Sequence, residues 1–154
     1  MRTGIGIDTH RLAPGRPLIL GGVEIPSELG LEGHSDADVL THAIVDALLG
    51  AAGLGDIGQH FPDTDERWRG ADSMELLRAV LVEVAEAGWA VAHVDATVML
   101  QQPKLAPHRD AIRESLAAQL GSVNVKFTTG ERMGFIGREE GAAALAVATL
   151  EPAA

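Results

Sequence analysis

Residues 34–55 have the sequence HSDADVLTHAIVDALLGAAGLG, which contains the clearest helical pattern of the chain. Apolar side chains recur there at intervals of three and four, so a helix is predicted over residues 36–54. Gly53 and Gly55 are expected to end this helix, because glycine readily takes the left-handed conformation found after helix ends. The apolar positions that carry the pattern are Val39, Leu40, Ala43, Ile44, Ala47, Leu48 and Ala51.

The segments on the N-terminal side of this helix are predicted to be strands. Residues 2–8 alternate isoleucine with small residues, which is typical of a short strand. Residues 17–20 and 23–25 flank Gly21-Gly22, a pattern that predicts a tight hairpin. Residues 26–35 are polar and contain glycine, so a loop is expected there.

Helices and strands alternate in the second half of the chain. Helices are predicted over residues 72–87 and 107–120, and strands over residues 90–101 and 123–129. Residues 141–150 leave two structures open, because their alanines favour a helix while their short length after a glycine-rich loop permits a strand. This order predicts an α+β fold, a mixed β-sheet with helices packed on one face. Loops or another subunit must then cover the other face.

Length and composition restrict the class of protein. The 154 residues suit a single domain over residues 1–154. The net charge is −10, and Lys104 and Lys126 are the only lysines, so a basic surface for nucleic acid or anionic membrane is not expected. No apolar run approaches the roughly 20 residues of a membrane span. The absence of cysteine fits a cytoplasmic protein and requires nitrogen and oxygen ligands for any metal.

Asp8, His10 and His42 are the candidate metal ligands. In an extended segment Asp8 and His10 point the same way, and the predicted helix offers no local reason for an imidazole at position 42. Together they would form a set of two nitrogens and one oxygen, and catalytic zinc sites use three protein ligands and one open position. Asp46, one turn after His42, is the candidate carboxylate that holds the His42 ring. A surface pair at a strand end and a solvated helix face remain the simpler interpretation of these residues.

Three further clusters have both a functional and an ordinary interpretation. The acidic loop of residues 56–65 is either a surface turn or a wall that binds hydroxyl groups and oxyanions. Lys104 follows a predicted strand and either contacts a phosphate or is solvated. Residues 128–138 combine hydroxyls, glycines, Glu131 and Arg138, which suits either a phosphate-binding loop with a cation at Glu131 or a plain connection.

Taken together and in this order, the clusters resemble the 2-C-methyl-D-erythritol 2,4-cyclodiphosphate synthase family. The resemblance covers essentially the whole chain, and residues 33–65 are its most specific part. The matching segments are GIGIDTH at 4–10, LGGVEIP at 20–26, GHSDADVLTHAIVDALLGAAGLGDIGQHFPDTD at 33–65, GADSMELL at 70–77, VDATVMLQQPKLAPH at 94–108 and VNVKFTTGERMGFIGREEG at 123–141.

The resemblance implies a reaction, two cofactors and an assembly. The reaction converts a cytidine diphosphate substrate, 4-diphosphocytidyl-2-C-methyl-D-erythritol 2-phosphate, to 2-C-methyl-D-erythritol 2,4-cyclodiphosphate and CMP. The implied cofactors are one Zn2+ per subunit and Mg2+ or Mn2+ with the substrate diphosphate. The implied assembly is a cytoplasmic homotrimer with active sites between subunits. In such a protein residues 141–150 form a strand.

The resemblance also implies roles for individual residues. Asp8, His10 and His42 match the zinc ligands, and Glu131 matches the Mg2+ or Mn2+ ligand. His34 and Thr129 match catalytic positions that stabilise the transition state. The matching substrate contacts are Ser35, Asp56, Ile57, Gly58, Phe61, Pro62, Asp63, Thr64, Asp65, Phe135 and Arg138. The matching nucleotide contacts are Leu100, Gln101, Gln102, Pro103, Lys104, Leu105, Ala106, Thr128, Thr129 and Gly130. Gly130 departs from the family, because a hydroxyl residue is expected there.

Two other functions are compatible with the same residues. A zinc phosphohydrolase would use the triad to activate water and would give a linear product. A binding module without activity would hold a structural metal, although structural zinc sites are usually closed by four protein ligands.

Overall fold

The computed structural model describes residues 1–154 and contains seven strands and five α-helices. The strands are β1 (Arg2–Pro14), β2 (Leu18–Leu20), β3 (Val23–Ile25), β4 (Leu29–Glu32), β5 (Trp89–Met99), β6 (Val123–Thr128) and β7 (Gly141–Pro152). The helices are α1 (Val39–Ala52), α2 (Ile57–His60), α3 (Ser73–Glu86), α4 (Arg109–Leu120) and α5 (Gly134–Gly137). Short 3-10 turns occupy Glu66–Trp68 and Ala106–His108.

The sheet is mixed, as predicted. Its five strands lie in the order β4-β1-β7-β5-β6, and only the β5–β6 pair is parallel. The predicted hairpin is present as the separate β2–β3 ribbon. None of the helices has the length and apolar character needed to cross a bilayer.

Helix α1 lies directly against β1 because two glycines of the strand face it. A Cβ atom at Gly4 or Gly6 would overlap the carbonyl oxygens of Ala47 and Ala43. These glycines share a strand face with Asp8 and His10, since side chains alternate along a strand. The close approach therefore brings α1 towards the same side of β1 on which Asp8 and His10 lie.

The helices cover one face of the sheet and leave the other open, which confirms the predicted arrangement. The alternating residues of β7 from Ala142 to Leu150 are fully buried beneath the helices. On the opposite face, Ile5 and Ile7 remain 59% and 61% exposed. Both isoleucines lie on an inner strand of the sheet, on the face without helices. They form an apolar surface that nothing else in this chain covers.

Several predicted boundaries are wrong. Strand β1 runs to Pro14, so Asp8 and His10 lie within the strand and not at its end. The expected loop of residues 26–35 contains β4, which pairs with the last part of β1. Helix α1 begins at Val39, so Asp36 lies before it. Residues 141–150 form part of a strand, β7, as the family resemblance implied.

The polar residues at the start of α1 are not a solvated stripe. Asp38 is fully buried and caps the helix by accepting a hydrogen bond from the Thr41 amide at 3.0 Å. Its carboxylate also accepts from the amides of Gly21 and Gly22 at 3.0 and 2.9 Å. Burial raises the pKa of Asp38, although these hydrogen bonds act in the opposite direction. Asp38 therefore ties the β2–β3 turn to α1.

Candidate metal centre and adjoining pocket

Asp8, His10 and His42 converge on one point. His10 Nε2 lies 2.8 Å from Asp8 Oδ2, and His42 Nδ1 lies 3.2 Å from the same oxygen. The two ring nitrogens are 3.2 Å apart. Zinc–ligand bonds of about 2.0–2.1 Å in a tetrahedral site place the ligand atoms about 3.3–3.4 Å apart. The three atoms therefore already have nearly the spacing of three corners of a metal tetrahedron, so these residues can hold a metal ion.

The tautomer of His10 supports this interpretation. Its Nδ1 lies 3.0 Å from the carbonyl oxygen of Glu32, which can only accept a hydrogen bond. Nδ1 must therefore carry the proton, and the neutral ring presents a lone pair at Nε2. That lone pair faces the Asp8 carboxylate, another acceptor. Two acceptors at this distance require a cation between them, either a proton or a metal ion.

The electrostatics of the pair are consistent with a cation site. Burial lowers the pKa of His10, but the hydrogen bond and the negative charge of Asp8 outweigh burial and raise it above its usual value. Burial raises the pKa of Asp8, but its contacts with the His10 and His42 rings outweigh burial and lower it. The carboxylate is thus held ionised beside two imidazoles, which suits the binding of a divalent ion.

Asp46 does not hold the His42 ring, so that prediction is wrong. Asp46 Oδ1 accepts a hydrogen bond from the amide of Ile57 at 3.0 Å, which fixes the start of α2. Both nitrogens of His42 have other partners. Nδ1 lies 3.2 Å from Asp8 Oδ2, and Nε2 lies 2.7 Å from Ser73 Oγ and 3.1 Å from Ser35 Oγ. Helical spacing correctly placed Asp46 on the same face of α1 as His42. It could not show that the Ile57 amide, and not the His42 ring, would be the hydrogen-bond partner of Asp46.

The triad opens into a pocket of about 530 Å³. Seven of the predicted substrate-site residues line it, so the structure brings these together with the candidate metal ligands. They are His34, Ser35, Ile57, Gly58, Phe61, Pro62 and Asp63. Gly33, Trp68 and Leu76 also line the pocket and were not predicted. No local pattern distinguishes these three from ordinary loop and helix residues.

Three predicted substrate contacts in the acidic loop of residues 56–65 do not line this pocket, and two of them have hydrogen-bond partners elsewhere. Asp56 caps α2 by accepting from the Gln59 amide at 2.9 Å. The Asp65 carboxylate accepts from Arg67 at 2.9 and 2.6 Å, and this ion pair lowers the pKa of Asp65. The backbone carbonyl of Asp65 accepts a hydrogen bond from His34 Nε2 at 3.0 Å. Thr64 is exposed between them.

The predicted nucleotide contacts lie elsewhere on the chain, in two loops that we call the strand-end loops, residues 100–106 and 128–131. They follow the parallel strands β5 and β6, whose last residues Met99 and Thr128 are register partners. Gln101 Oε1 joins the loops by accepting from the amides of Gly130 and Arg132 at 3.3 and 3.2 Å. Neither loop lines the pocket of the triad.

The glycine at position 130 has a steric cause. A Cβ atom there would lie too close to the backbone of Gly137 and Met133. The hydroxyl side chain expected from the family resemblance would therefore require the turn before α5 to move. Glu131 stays exposed beside it, and its amide donates to Thr129 Oγ1 at 3.2 Å.

Phe135 and Arg138 lie apart from the main pocket. Phe135 lines a second, smaller cavity of about 170 Å³, which His10 also lines. Arg138 is exposed and lies 3.6 Å from the carboxylate of Glu140.

Comparisons with known families, sequences and structures all identify relatives of one kind. A model of the YgbB family matches residues 1–151. The 2-C-methyl-D-erythritol 2,4-cyclodiphosphate synthase of Salinibacter ruber is 59% identical, over 99% of this chain and 100% of the relative. A solved structure of 2C-methyl-D-erythritol-2,4-cyclodiphosphate synthase with bound CDP has a TM-score of 0.89 and 42% identity, over 97% of this chain and 100% of the other. A CDP complex of Plasmodium falciparum IspF has a TM-score of 0.86 and 31% identity, over 99% and 97% of the two chains.

Proposed function

The chain belongs to the YgbB family, and on that premise we propose that it converts 4-diphosphocytidyl-2-C-methyl-D-erythritol 2-phosphate to 2-C-methyl-D-erythritol 2,4-cyclodiphosphate with release of CMP. This is a phosphorus–oxygen lyase reaction of the non-mevalonate pathway to isoprenoid precursors. One observation carries the proposal above the others. A carboxylate oxygen and two imidazole nitrogens converge inside a pocket, in a chain 59% identical to a relative named for this activity.

Asp8, His10 and His42 are proposed to hold one Zn2+ per subunit. Their donor set of two nitrogens and one oxygen is typical of catalytic zinc sites, which keep one position free. When bound, the ion polarises phosphoryl oxygens as a Lewis acid. A second ion, Mg2+ or Mn2+, is proposed to bind at Glu131 together with the substrate diphosphate.

The reaction itself requires no protein base. An oxygen of the 2-phosphate forms a bond to the β-phosphorus, and the bond from that phosphorus to the oxygen shared with the α-phosphate breaks. CMP leaves with the electron pair of that bond. Because the attacking oxygen is already anionic, the residues of the chain act by positioning the substrate and donating hydrogen bonds.

His34 and Ser35 are proposed to contact the reacting phosphates. His34 donates from Nε2 to the Asp65 carbonyl, which fixes the ring and leaves Nδ1 for the substrate. Ser35 Oγ accepts a hydrogen bond from the Ala37 amide at 3.2 Å, and its own proton is proposed to bind a phosphate oxygen. Both side chains line the pocket beside the triad.

The pocket wall is proposed to bind the methylerythritol part of the substrate. Gly58 and Ile57 present the first turn of α2, and Phe61 and Pro62 add apolar surface next to Asp63. A wall of this kind can fold the substrate so that its 2-phosphate approaches the β-phosphorus. Well-oriented intramolecular attack lowers a barrier by about 7–11 kcal/mol.

A homotrimer with active sites between subunits completes the proposal. It is supported by the open sheet face with Ile5 and Ile7, and by the position of the strand-end loops outside the pocket of their own chain. Leu100–Ala106 with Thr128–Gly130 would then bind the cytidine diphosphate beside the triad of an adjacent subunit, with Thr129 as the stabilising hydroxyl. A single domain over residues 1–154 and a cytoplasmic location belong to the same proposal.

Phosphorus NMR tests this function directly. The purified protein is incubated with the proposed substrate, Zn2+ and Mg2+, and the products are followed over time. We expect cyclic diphosphate and CMP in equal amounts. A linear diphosphate would overturn the proposal in favour of a hydrolase. No product from folded, zinc-loaded protein would favour a binding module.

A further inference from the structure

His42 has a second contact that faces away from the candidate metal position. Its Nε2 lies 2.7 Å from the hydroxyl oxygen of Ser73, the first residue of α3. Ser73 is fully buried and His42 is 9% exposed, so water does not compete for this contact. The same hydroxyl also contacts the carboxylate of Asp36. The three side chains form one continuous chain of hydrogen bonds.

The carboxylate of Asp36 fixes the direction of this chain. It accepts hydrogen bonds from the amide of Ser73 at 2.9 Å and from the amide of Asp38 at 3.1 Å. An ionised carboxylate can only accept, so the single hydroxyl proton of Ser73 is donated to Asp36. The hydroxyl oxygen is then left to accept from His42 Nε2. His42 must therefore carry its proton on Nε2.

The opposite nitrogen of His42 follows from this assignment. A neutral imidazole with its proton on Nε2 has a lone pair on Nδ1. Nδ1 is the atom that lies 3.2 Å from both Asp8 Oδ2 and His10 Nε2. The alternative tautomer would place a proton on the atom that a metal ion must contact.

We propose that Ser73, oriented by Asp36, is a positioning residue that holds His42 in its metal-binding tautomer. This inference rests on the proposed metal centre, but not on the reaction performed there. Groups that orient a ligating histidine typically change metal affinity by about 10–100-fold when they are removed. Ser73 lies 31 residues from His42 and Asp36 lies 37 residues from Ser73, so folding must bring them together.

A purely structural role for Ser73 makes a different prediction. The contact with Asp36 also joins the start of α3 to the segment before α1, so its loss would lower stability in either case. Only the proposed role changes the protonation of the His42 ring. The tautomer and the zinc affinity therefore separate the two roles, and neither measurement needs the substrate.

The experiment compares Ser73→Ala with Ser115→Ala in the full-length, metal-depleted protein. Ser115 is a matched control, because its hydroxyl also makes a defined hydrogen bond, donated to the Gly21 carbonyl at 2.6 Å, away from the triad. Zinc affinity is measured by competition with a chromophoric chelator. Ring nitrogen-15 NMR shifts of His42 report its tautomer. We expect Ser73→Ala to weaken Zn2+ binding about 10–100-fold and to lose the single tautomer, with Ser115→Ala unchanged.

Two further variants keep the test decisive if Ser73→Ala does not fold. Ser73→Thr retains the hydroxyl and should keep the wild-type tautomer and zinc affinity. Asp36→Asn retains the size of the side chain, but its amide group cannot accept all three hydrogen bonds, so zinc binding should weaken as in Ser73→Ala. Unchanged zinc affinity and tautomer in Ser73→Ala or Asp36→Asn would overturn the inference. An inactive wild type with these same responses would leave it intact and refute only the proposed reaction.

Discussion

The triad of Asp8, His10 and His42 and the strand-end loops of residues 100–106 and 128–131 differ in how completely one chain builds them. At the triad, each ligand atom lies within 3.2 Å of the other two, and the backs of both histidine rings are hydrogen-bonded. In the strand-end loops, Lys104, Thr129 and Glu131 are exposed and line no cavity with the triad. One chain therefore brings the three candidate metal ligands together but leaves the proposed nucleotide contacts apart from them.

The difference has a physical origin in how closely each region packs against the rest of the chain. Gly4 and Gly6 let α1 lie against β1, so the triad forms at the edge of a packed core. The strand-end loops instead lie at the ends of β5 and β6. The long-range side-chain hydrogen bonds that join these two loops are the ones accepted by Gln101. In the proposed homotrimer, a second copy of the chain would bring the two parts together.

The largest expected effect is at the triad. His42→Ala removes one of three ligands, so bound zinc should be lost and turnover should fall by about 10³-fold or more, because Lewis-acid catalysis is worth several kcal/mol. Zinc content by atomic absorption and initial rates measure the two effects. His93→Ala changes a histidine on the open sheet face and should retain its zinc. Full zinc content in His42→Ala would contradict the ligand assignment.

A mixing experiment tests whether the two parts come from different subunits. One chain carries His42→Ala, and the other carries Thr129→Ala with Glu131→Ala. Each should be nearly inactive alone. When the two chains are refolded together in equal amounts, about three-quarters of random trimers contain both chains, and each of these holds one intact site of three. The mixture should therefore regain about a quarter of wild-type activity. Activity no greater than the average of the two parents would show that each chain builds its own site.

The sequence predicted the triad better than its surroundings. Strand alternation placed Asp8 and His10 on one side of the strand. His42 was noticed because the predicted helix gave no local reason for an imidazole at that position. The contact of His42 with Ser73 was missed because the two residues are 31 positions apart in sequence. The sequence predicted only a helix over residues 72–87, and nothing in that pattern distinguished Ser73.

The fold was predicted in its class and less well in its boundaries. Strand β4 was missed because its four residues contain Gly30 and lie in a polar segment. Strand β1 was ended too early, since it continues past Asp8 by pairing with β7 as far as Arg11 and with β4 from Arg11 to Pro14. Gly4 and Gly6 permit a close approach of β1 and α1. This is a tertiary contact, so no local sequence pattern predicts it.

A smaller effect is expected at the strand-end loops. Glu131→Ala removes the exposed carboxylate proposed to bind Mg2+ or Mn2+, so about tenfold more Mg2+ should be needed for half-maximal activity, the loss expected for one charged contact. Zinc content should not change. Glu86→Ala, on the exposed end of α3, provides a carboxylate control. An unchanged Mg2+ titration in Glu131→Ala would remove Glu131 from the site.

The smallest effect is expected on the open sheet face next to these loops. Lys126 Nζ lies 2.6 Å from Asp95 Oδ2, and this hydrogen bond lowers the pKa of Asp95 below its usual value. A lowered pKa in the folded state adds stability above the unfolded value, and this stability is lost as the pH falls through the folded pKa. Both side chains are at least 40% exposed, so the contribution is screened by solvent.

Lys126→Met should therefore raise the pKa of Asp95 and lower the free energy of unfolding at pH 7 by less than about 1 kcal/mol. The difference between wild type and variant should shrink as the pH falls from the usual pKa of an aspartate through the lower pKa of folded Asp95. Carboxyl carbon-13 NMR titration and urea unfolding measure these quantities. A larger loss at neutral pH would mean that the pair is shielded from water, as it would be if another subunit covered this face. The size of this effect therefore indicates whether the surface left open by one chain is open in the assembled protein.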